Sequence, residues 1–269
     1  MSNKRVWSLM SVLLLALAVG CGGSGDSSSG DAPASTPAPK GTADPTPTPS
    51  GDTTGATGTA SISGSIRYEG AIPKLPVLKM EADPGCAKKH TADVPSELLV
   101  LGENNALANV MVYVKGGLGG GGYATPAEAV VLNQEGCQYT PHVTSVQTGQ
   151  TFKILNSDGL LHNVHGLPKL NTPFNRAMPA AVTEAEYNFG KEEVFKIKCD
   201  VHPWMGAWVG VFAHPFHGVT GIDGNFSISG LPAGTYEVEA LHEKLGTLTA
   251  QVTVADGEAG SNDFTFVKN

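Results

Sequence analysis

The stretch CDVHPWMG places a thiol, an imidazole and a thioether within seven residues. Cys199, His202 and Met205 follow the spacing C-x2-H-x2-M, and Pro203 and Trp204 stiffen and cover the run. Thiolate and thioether are soft metal ligands, and imidazole binds several transition metals. The stretch therefore predicts three ligands of one metal site, with a fourth supplied from elsewhere in the chain.

An earlier stretch, LLHNVHG, offers His162 and His165 for the fourth position. Two imidazoles, one thiolate and a weak axial thioether form the mononuclear copper sites that transfer electrons. Zinc also binds cysteine and histidine, but a structural zinc site would use more thiolates. Taken alone, Cys199 and Met205 would more often be buried apolar side chains. Their combination with an upstream histidine favours copper.

Apolar and polar residues alternate along most of the chain after residue 59, a pattern that is typical of β-strands. In VFKIKC, for example, Phe195, Ile197 and Cys199 share one face, so Cys199 is expected to end a core-facing strand. The Asp223-Gly224 pair favours a tight hairpin turn. Because no long segment has a helical period, the sequence predicts an all-β sandwich fold.

The N-terminal region indicates export and a membrane anchor. Two basic residues precede an apolar run, 6–19, that is too short to span a bilayer, so residues 1–20 are expected to be a signal peptide. The run ends in LAVGC, which resembles a bacterial lipobox and predicts lipidation of Cys21. Residues 21–59 are rich in Gly, Ser, Thr and Pro and are expected to form a disordered linker. The protein is thus expected in the bacterial cell envelope, lipid-anchored outside the cytoplasm at a periplasmic face or outer membrane.

Cys86 and Cys137 are the two cysteines that neither the lipobox nor the ligand stretch uses. Outside the cytoplasm such a pair is expected to form a disulfide. The alternative is a metal role for the stretch CAKKH, in which His90 follows Cys86, although no matching second half-site is obvious. A second metal site could also involve His142 or His165, but surface or hydrogen-bonded roles are commoner for isolated histidines.

The formal net charge of −8 argues against a nucleic-acid partner, because nucleic-acid binding calls for a basic patch. Neither a small-molecule substrate site nor a general acid–base pair is evident, so the chain is not expected to be an enzyme. A multicopper oxidase would need H-x-H motifs, and a binuclear copper centre would need two cysteines in the ligand stretch. The sequence contains neither feature.

Three stretches resemble the cupredoxins, the small blue copper proteins, and they occur in the family's order. EGCQYTPHVTSVQTG is similar to the strand that enters the sheet, KILNSDGLLHNVHG to the region of the first histidine ligand, and EVFKIKCDVHPWM to the later strand and ligand loop. The short loop most resembles that of amicyanin, although Gly206 stands where amicyanin commonly has a larger residue. The resemblance covers residues 128–214 and implies a Greek-key β-sandwich with one mononuclear type 1 copper.

The resemblance also assigns roles to individual residues. It implies that copper is bound by His162, Cys199, His202 and Met205. Asn163 would tie the two ligand loops together. In cupredoxins the histidine of the later loop reaches the surface through an apolar patch where a redox partner protein docks, a patch that Pro203 and Trp204 would supply here.

Electron transfer between extracytoplasmic partners is therefore the leading hypothesis. The same ligands could instead serve a copper-binding or copper-delivery protein that transfers no electrons. A tethered scaffold with a vestigial site is a third reading, which the intact ligand set disfavours.

The C-terminal part, residues 215–269, resembles carboxypeptidase regulatory-like (transthyretin-like) domains through T-x-x-D-G-x-F followed by L-P-x-G-x-Y. Such modules imply a second small β-sandwich with a structural or adhesive role. The N-terminal segment, residues 60–127, includes ISGSIRYEGAIP, which looks like the first strand of the same kind of module. The copper domain could thus be inserted into this sandwich or follow it in tandem.

Overall fold

The computed structural model describes Gly55 and residues 57–268. The predicted signal peptide, the predicted lipidation site Cys21 and nearly all of the predicted linker lie outside the described residues. Within the described part of the chain, no helix is long and apolar enough to cross a membrane.

The described residues form seventeen strands and one short α-helix. The strands are β1 (Ala60–Gly70), β2 (Met111–Gly116), β3 (Val130–Glu135), β4 (Gln138–Thr140), β5 (Val143–Gln147), β6 (Phe152–Asn156), β7 (His162–Gly166), β8 (Phe174–Met178), β9 (Glu184–Tyr187), β10 (Glu193–Lys198), β11 (Gly206–Phe212), β12 (His217–Val219), β13 (Asn225–Leu231), β14 (Gly234–His242), β15 (Gly246–Val254), β16 (Ala259–Ser261) and β17 (Phe264–Lys268). The helix is α1 (Pro84–Ala87), and 3₁₀ turns occur at Met80–Ala82 and Glu103–Asn105. The predicted all-β fold class is confirmed.

Strands from the two ends of the described chain form one sandwich, which we call the terminal sandwich. One sheet has the order β13-β1-β16, with β17 also parallel to β1, and the other has the order β12-β2-β14-β15. Side chains from both sheets meet in a shared core that includes Ile62, Tyr68, Val112, Phe226 and Phe266. Gly224, with φ of 69°, forms the turn before β13, a conformation that a side chain would disfavour. The predicted hairpin at this turn is wrong, because β12 pairs with β2 and β13 pairs with β1 in the other sheet.

The strands between β2 and β12 form a second sandwich, which we call the inner sandwich. Its sheets have the orders β5-β11-β10-β7-β8 and β4-β3-β6-β9. Alternate residues of these strands, such as Leu132, Ile154, Phe195 and Ile197, point into a common core. Cys199 and Met205 belong to the same buried cluster, so the predicted ligand stretch lies at one end of the inner core.

The inner sandwich is inserted into the terminal sandwich, because β2 and β12 flank it in sequence and pair with each other. Strand β2 is covered on both faces. Val112 and Val114 enter the terminal core, whereas Met111 and Tyr113 contact a junction cluster with Phe212 of β11. This double burial explains why β2 is apolar at successive positions, where one solvated face would give strict alternation.

The connection between β1 and β2 crosses from the terminal sandwich to the inner one. We call residues 78–94 the capping segment. Its ends are joined where the Leu78 amide donates to the Val94 carbonyl, and its buried side chains Met80 and Cys86 join the inner core. A disulfide links Cys86 to Cys137, as predicted for the leftover cysteine pair. The alternative metal role for the CAKKH stretch is therefore wrong.

Candidate metal centre

The predicted ligands lie at the ends of three adjacent strands of the inner sandwich. His162 begins β7, Cys199 directly follows β10, and Met205 directly precedes β11. Strand β10 pairs with both β7 and β11, and Lys198 of β10 lies opposite both His165 and Gly206. Strand pairing thus brings a histidine about forty residues upstream next to the C-x2-H-x2-M loop.

Hydrogen bonds within the loop fix its shape. The Cys199 amide donates to the Met205 carbonyl (3.2 Å), and the Met205 amide donates to the His202 carbonyl (2.9 Å). The His202 amide donates to Cys199 Sγ (3.3 Å). A thiolate that accepts a backbone N–H is held in one position, and the spacing C-x2-H allows this contact within a single turn.

Three potential ligand atoms converge at the centre. His162 Nδ1 lies 3.0 Å from His202 Nδ1, and Cys199 Sγ lies 3.9 Å from His202 Nδ1. The three side chains are buried, and one ligand atom from each lies within 4.8 Å of the others. Because metal bonds to nitrogen and sulfur are about 2.0 to 2.3 Å long, atoms that share one ion lie roughly 3 to 4 Å apart. The spacing suits a single transition-metal ion.

The short distance between the two Nδ1 atoms indicates that a cation is needed between them. Each imidazole turns its Nε2 atom toward a carboxylate: His162 lies 2.8 Å from Asp158, and His202 lies 3.1 Å from Asp83. An ionised carboxylate only accepts hydrogen bonds, so Nε2 of each ring carries the proton. Two Nδ1 lone pairs 3.0 Å apart would then repel, unless a proton or a metal ion lies between them.

The pKa values at the centre agree with this picture. Burial alone would lower the pKa of His162, but its hydrogen bonds to Asp158 and Cys199 outweigh burial and raise that pKa to about 8. Burial alone would raise the pKa of Cys199, but the His162 hydrogen bond and backbone N–H groups lower it. The centre therefore favours a cation beside a thiolate, which is the charge arrangement of a metal bound by cysteine.

Met205 and Asn163 support the same centre. The Met205 side chain is 2% exposed and packs in the inner core beside Cys199. Asn163 Oδ1 accepts the backbone N–H of Asp200 (2.8 Å), which joins β7 to the loop that carries Cys199 and His202. The Asn163 carbonyl also accepts the Tyr139 hydroxyl (2.5 Å), so the tie extends to the facing sheet.

Sequence reasoning missed two residues at the centre, Asp158 and Asp83. Burial would raise the pKa of Asp158, but hydrogen bonds from His162, the Cys137 amide and Lys89 hold it well below its usual range. Hydrogen bonds from His202 and the Gly85 amide lower the pKa of Asp83. Asp158 precedes His162 by four residues in SDGLLH, a spacing that could have drawn attention, whereas the sequence near Asp83 gives no such signal.

The expectation that His202 reaches the surface is wrong. The side chain is 2% exposed, because the capping segment covers its outer edge. Asp83 lies 3.1 Å from His202 Nε2 and Cys86 Sγ lies 3.6 Å from it. Trp204 packs against the same ring with centroids 5.0 Å apart and donates its indole N–H to the Cys137 carbonyl (3.0 Å).

The remaining candidate histidines lie outside this centre. His165 faces the opposite side of β7 from His162 and contacts Asp200 (2.9 Å). His90 contacts the Gly136 carbonyl (2.7 Å). His142 contacts Glu243 of the terminal sandwich (2.6 Å). Among the described residues, none of the three belongs to a cluster of at least three His, Cys, Asp or Glu ligand atoms close enough to share an ion.

No family model matches the sequence, and no curated protein matches it. Solved structures match part of the chain. The copper-containing nitrite reductase of Thermus scotoductus SA-01 is 18% identical over 36% of this chain and 25% of its own, with a TM-score of 0.30. A reduced mutant of amicyanin is 22% identical over 31% of this chain and 81% of its own (TM-score 0.29). A purple cupredoxin from Nitrosopumilus maritimus is 22% identical over 30% of this chain and 98% of its own (TM-score 0.27).

The matches cover about a third of this chain, and this chain spans about a quarter of the nitrite reductase. The interpretation of the centre therefore rests on the positions of its own side chains.

Proposed function

We propose that this protein is a one-electron carrier with one mononuclear type 1 copper held by His162, Cys199, His202 and Met205. The observation that carries the proposal is the convergence of two imidazole Nδ1 atoms and a cysteine Sγ in a buried pocket beside Met205. Such a donor set, with one thiolate and a weak thioether, is typical of electron-transfer copper. A copper ion bound there would take up and release one electron at a time.

Electron exchange is fast because the side chains that bind the metal are held in fixed positions. Backbone hydrogen bonds to Cys199 Sγ and within the loop hold the thiolate, and Asn163 holds the two ligand loops together. Ligands that keep their places in both oxidation states leave little rearrangement to slow the electron. The low exposure of Cys199, His202 and Met205 excludes water from the centre.

Burial of the ligands also favours a carrier over a copper-delivery protein. A delivery protein must hand its metal to a partner's ligands, which requires an open edge at the site. Here the edge of His202 is covered by Asp83 and Cys86, and the disulfide fixes that cover to the inner sandwich. We propose retention of the metal, and a role as carrier in place of an enzyme.

We propose that the redox partner protein docks at Trp204 and Pro203, as the sequence suggests, although the electron leaves through Trp204 and not through an exposed His202. Trp204 is half-buried and packs on His202, and Pro203 is exposed. A depression of about 270 Å³ beside them is lined by Trp204 and ends against Cys199 and Met205, which are each only 2% exposed. This face therefore offers a partner an approach to the centre.

Anchoring through a lipid on Cys21, outside the cytoplasm of a bacterial cell, completes the proposal. The disulfide between Cys86 and Cys137 is consistent with an oxidising compartment. An anchored carrier would exchange electrons with partners at the same membrane.

The first experiment adds Cu(II) to the metal-free protein and records its visible spectrum. An intense blue band from thiolate-to-copper charge transfer is expected, and Cys199→Ser should abolish it. His165→Gln is the matched control, because His165 lies three residues from His162 on the opposite face of β7, and it should keep the band. Copper binding without the band in the wild-type protein would contradict the electron-carrier proposal and favour delivery.

The docking face is tested with Trp204→Leu. Because Trp204 links His202 to the surface, electron self-exchange between two copies of the protein should slow by at least tenfold while the visible spectrum is kept. Trp208→Leu is the control, since Trp208 donates to Glu243 and does not pack on His202. An equal rate in the Trp204 variant and the wild type would refute the proposed exit.

A further inference from the structure

Both histidines of the centre are held from behind by a carboxylate. His162 Nε2 lies 2.8 Å from an oxygen of Asp158, and His202 Nε2 lies 3.1 Å from an oxygen of Asp83. The two carboxylates come from different parts of the chain, the connection between β6 and β7 and the turn that begins α1. Both imidazoles therefore have a carboxylate at Nε2, and one explanation should apply to both.

Asp158 is fixed in place by three further donors. Its Oδ1 accepts the Gly136 amide (2.7 Å) and Lys89 Nζ (3.0 Å), and its Oδ2 accepts the Cys137 amide (2.8 Å) as well as the His162 ring. The side chain is 1% exposed. A buried carboxylate with this many donors is held in a single orientation.

Asp83 is fixed by its own turn. One oxygen accepts the Gly85 amide (2.7 Å), while the other faces His202. Cys86, one turn further on, forms the disulfide to Cys137, and the Cys137 amide donates to Asp158. The disulfide therefore connects the two carboxylates through a short path, in which the last link is the hydrogen bond from the Cys137 amide to Asp158.

We infer that Asp158 and Asp83 are positioning residues that orient both imidazoles with Nδ1 inward and lower the reduction potential of the centre. An imidazole that donates its outer N–H to a carboxylate is a stronger ligand, with its tautomer and ring orientation fixed. Stronger ligands stabilise the more highly charged, oxidised ion more than the reduced ion, so the potential falls. This inference rests on the proposed copper function.

The test compares Asp158→Asn, Asp83→Asn and Asp200→Asn by spectroelectrochemical titration of the copper protein. Each variant removes one negative charge near the centre. Asp200 follows Cys199 directly but contacts Lys198 and His165, not a ligand imidazole, so it controls for charge alone. The potential should shift positively in all three, most in Asp158→Asn, less in Asp83→Asn, and least in Asp200→Asn.

Asp83→Asn is expected to shift the potential less than Asp158→Asn because the side chain of Asp83 is 38% exposed, so water already screens its charge. If Asp158→Asn fails to fold, the comparison of Asp83→Asn with Asp200→Asn decides the question. Equal shifts in the Asp200 variant and in the other variants would show that charge alone acts and would overturn the inference.

A second readout is independent of copper. In ¹H–¹⁵N spectra of the metal-free protein, the Nε2–H protons of His162 and His202 should be protected from exchange. Asp158→Asn should change the His162 signal and leave His202 as it was, and Asp83→Asn should do the reverse. Protected Nε2–H signals in a protein that develops no blue band would refute the copper function and not the hydrogen bonds. Unprotected Nε2–H signals in the wild type would overturn the inference whether or not copper binds.

Discussion

The core of the terminal sandwich is apolar and includes Tyr68, Phe226 and Phe266, whereas the inner sandwich buries Asp158, His162 and His202 beside its apolar core. Each of these three polar side chains has a hydrogen-bonding partner. A buried charge without partners would cost several kcal/mol, so the polar group and its partners must be built together. The inner sandwich thus holds a preorganised polar centre, while the terminal sandwich supplies a frame for it.

The two regions also differ in how they are secured. The terminal sandwich joins strands from both ends of the described chain, including the parallel pair β1 and β17. The inner sandwich is covered by the capping segment, which the disulfide and the Lys89–Asp158 ion pair attach to it. A polar centre provides less hydrophobic stabilisation than an apolar one, and the covalent link compensates at that place.

Of the predicted changes, removal of the disulfide should have the largest effect on the unfolding free energy and on metal affinity. The linked cysteines are 51 residues apart, and the chain-entropy model gives about 4 kcal/mol for a loop of that length. The double variant Cys86→Ser, Cys137→Ser should lose about that much unfolding free energy in guanidinium titrations. It should also bind metal less tightly, because the cover over His202 loosens. Unchanged metal affinity would mean that the capping segment does not hold the centre.

Truncation of one buried isoleucine in each core tests whether only the inner sandwich determines metal affinity. Ile62 and Ile154 are both 0% exposed, one in each core. Each isoleucine-to-alanine change should cost about 3 kcal/mol by loss of burial and formation of a cavity. Only Ile154→Ala should weaken metal binding, since it shares a core with Cys199 and Met205. An equal loss of affinity in both variants would show that the terminal sandwich controls the centre directly.

The smallest predicted effect is the pH dependence of metal affinity at the centre. With a pKa of about 8, His162 holds an additional proton in the metal-free protein at lower pH, and a metal ion must displace it. Affinity should therefore fall as pH drops below about 8, by about tenfold, or about 1.4 kcal/mol, per unit for one displaced proton. Calorimetry in buffers of different ionisation enthalpy would count the released protons. A pH-independent affinity between pH 6 and 8 would contradict the proton held by His162 in the metal-free protein.

Local pattern was enough to predict the strands and the ligand types. The alternation in VFKIKC put Phe195, Ile197 and Cys199 on the core face, because successive side chains in a strand point to opposite sides. The spacing within CDVHPWM also predicted a compact loop, since its bonds join residues at most six positions apart. The assignment of copper to these residues stays a prediction.

The capping segment could not be predicted from local pattern. Nothing near Asp83 in the sequence indicates that it would lie against His202, because the two residues are 119 positions apart and meet only when the connection between β1 and β2 folds over the inner sandwich. The interpretation of His202 as an exposed residue failed for this reason. The resemblance covered the ligand loop but not the segment that covers it.

Residue types and periods of a few residues were enough to predict the candidate ligands, their spacing and the all-β character, since none of these predictions needs a long-range contact. Only the folded chain shows that His162 turns inward, that His202 is sealed from solvent, and that Asp158 and Asp83 lie behind the two rings. These features depend on contacts between distant segments, and strand pairing, the disulfide and the burial of charge fix them together.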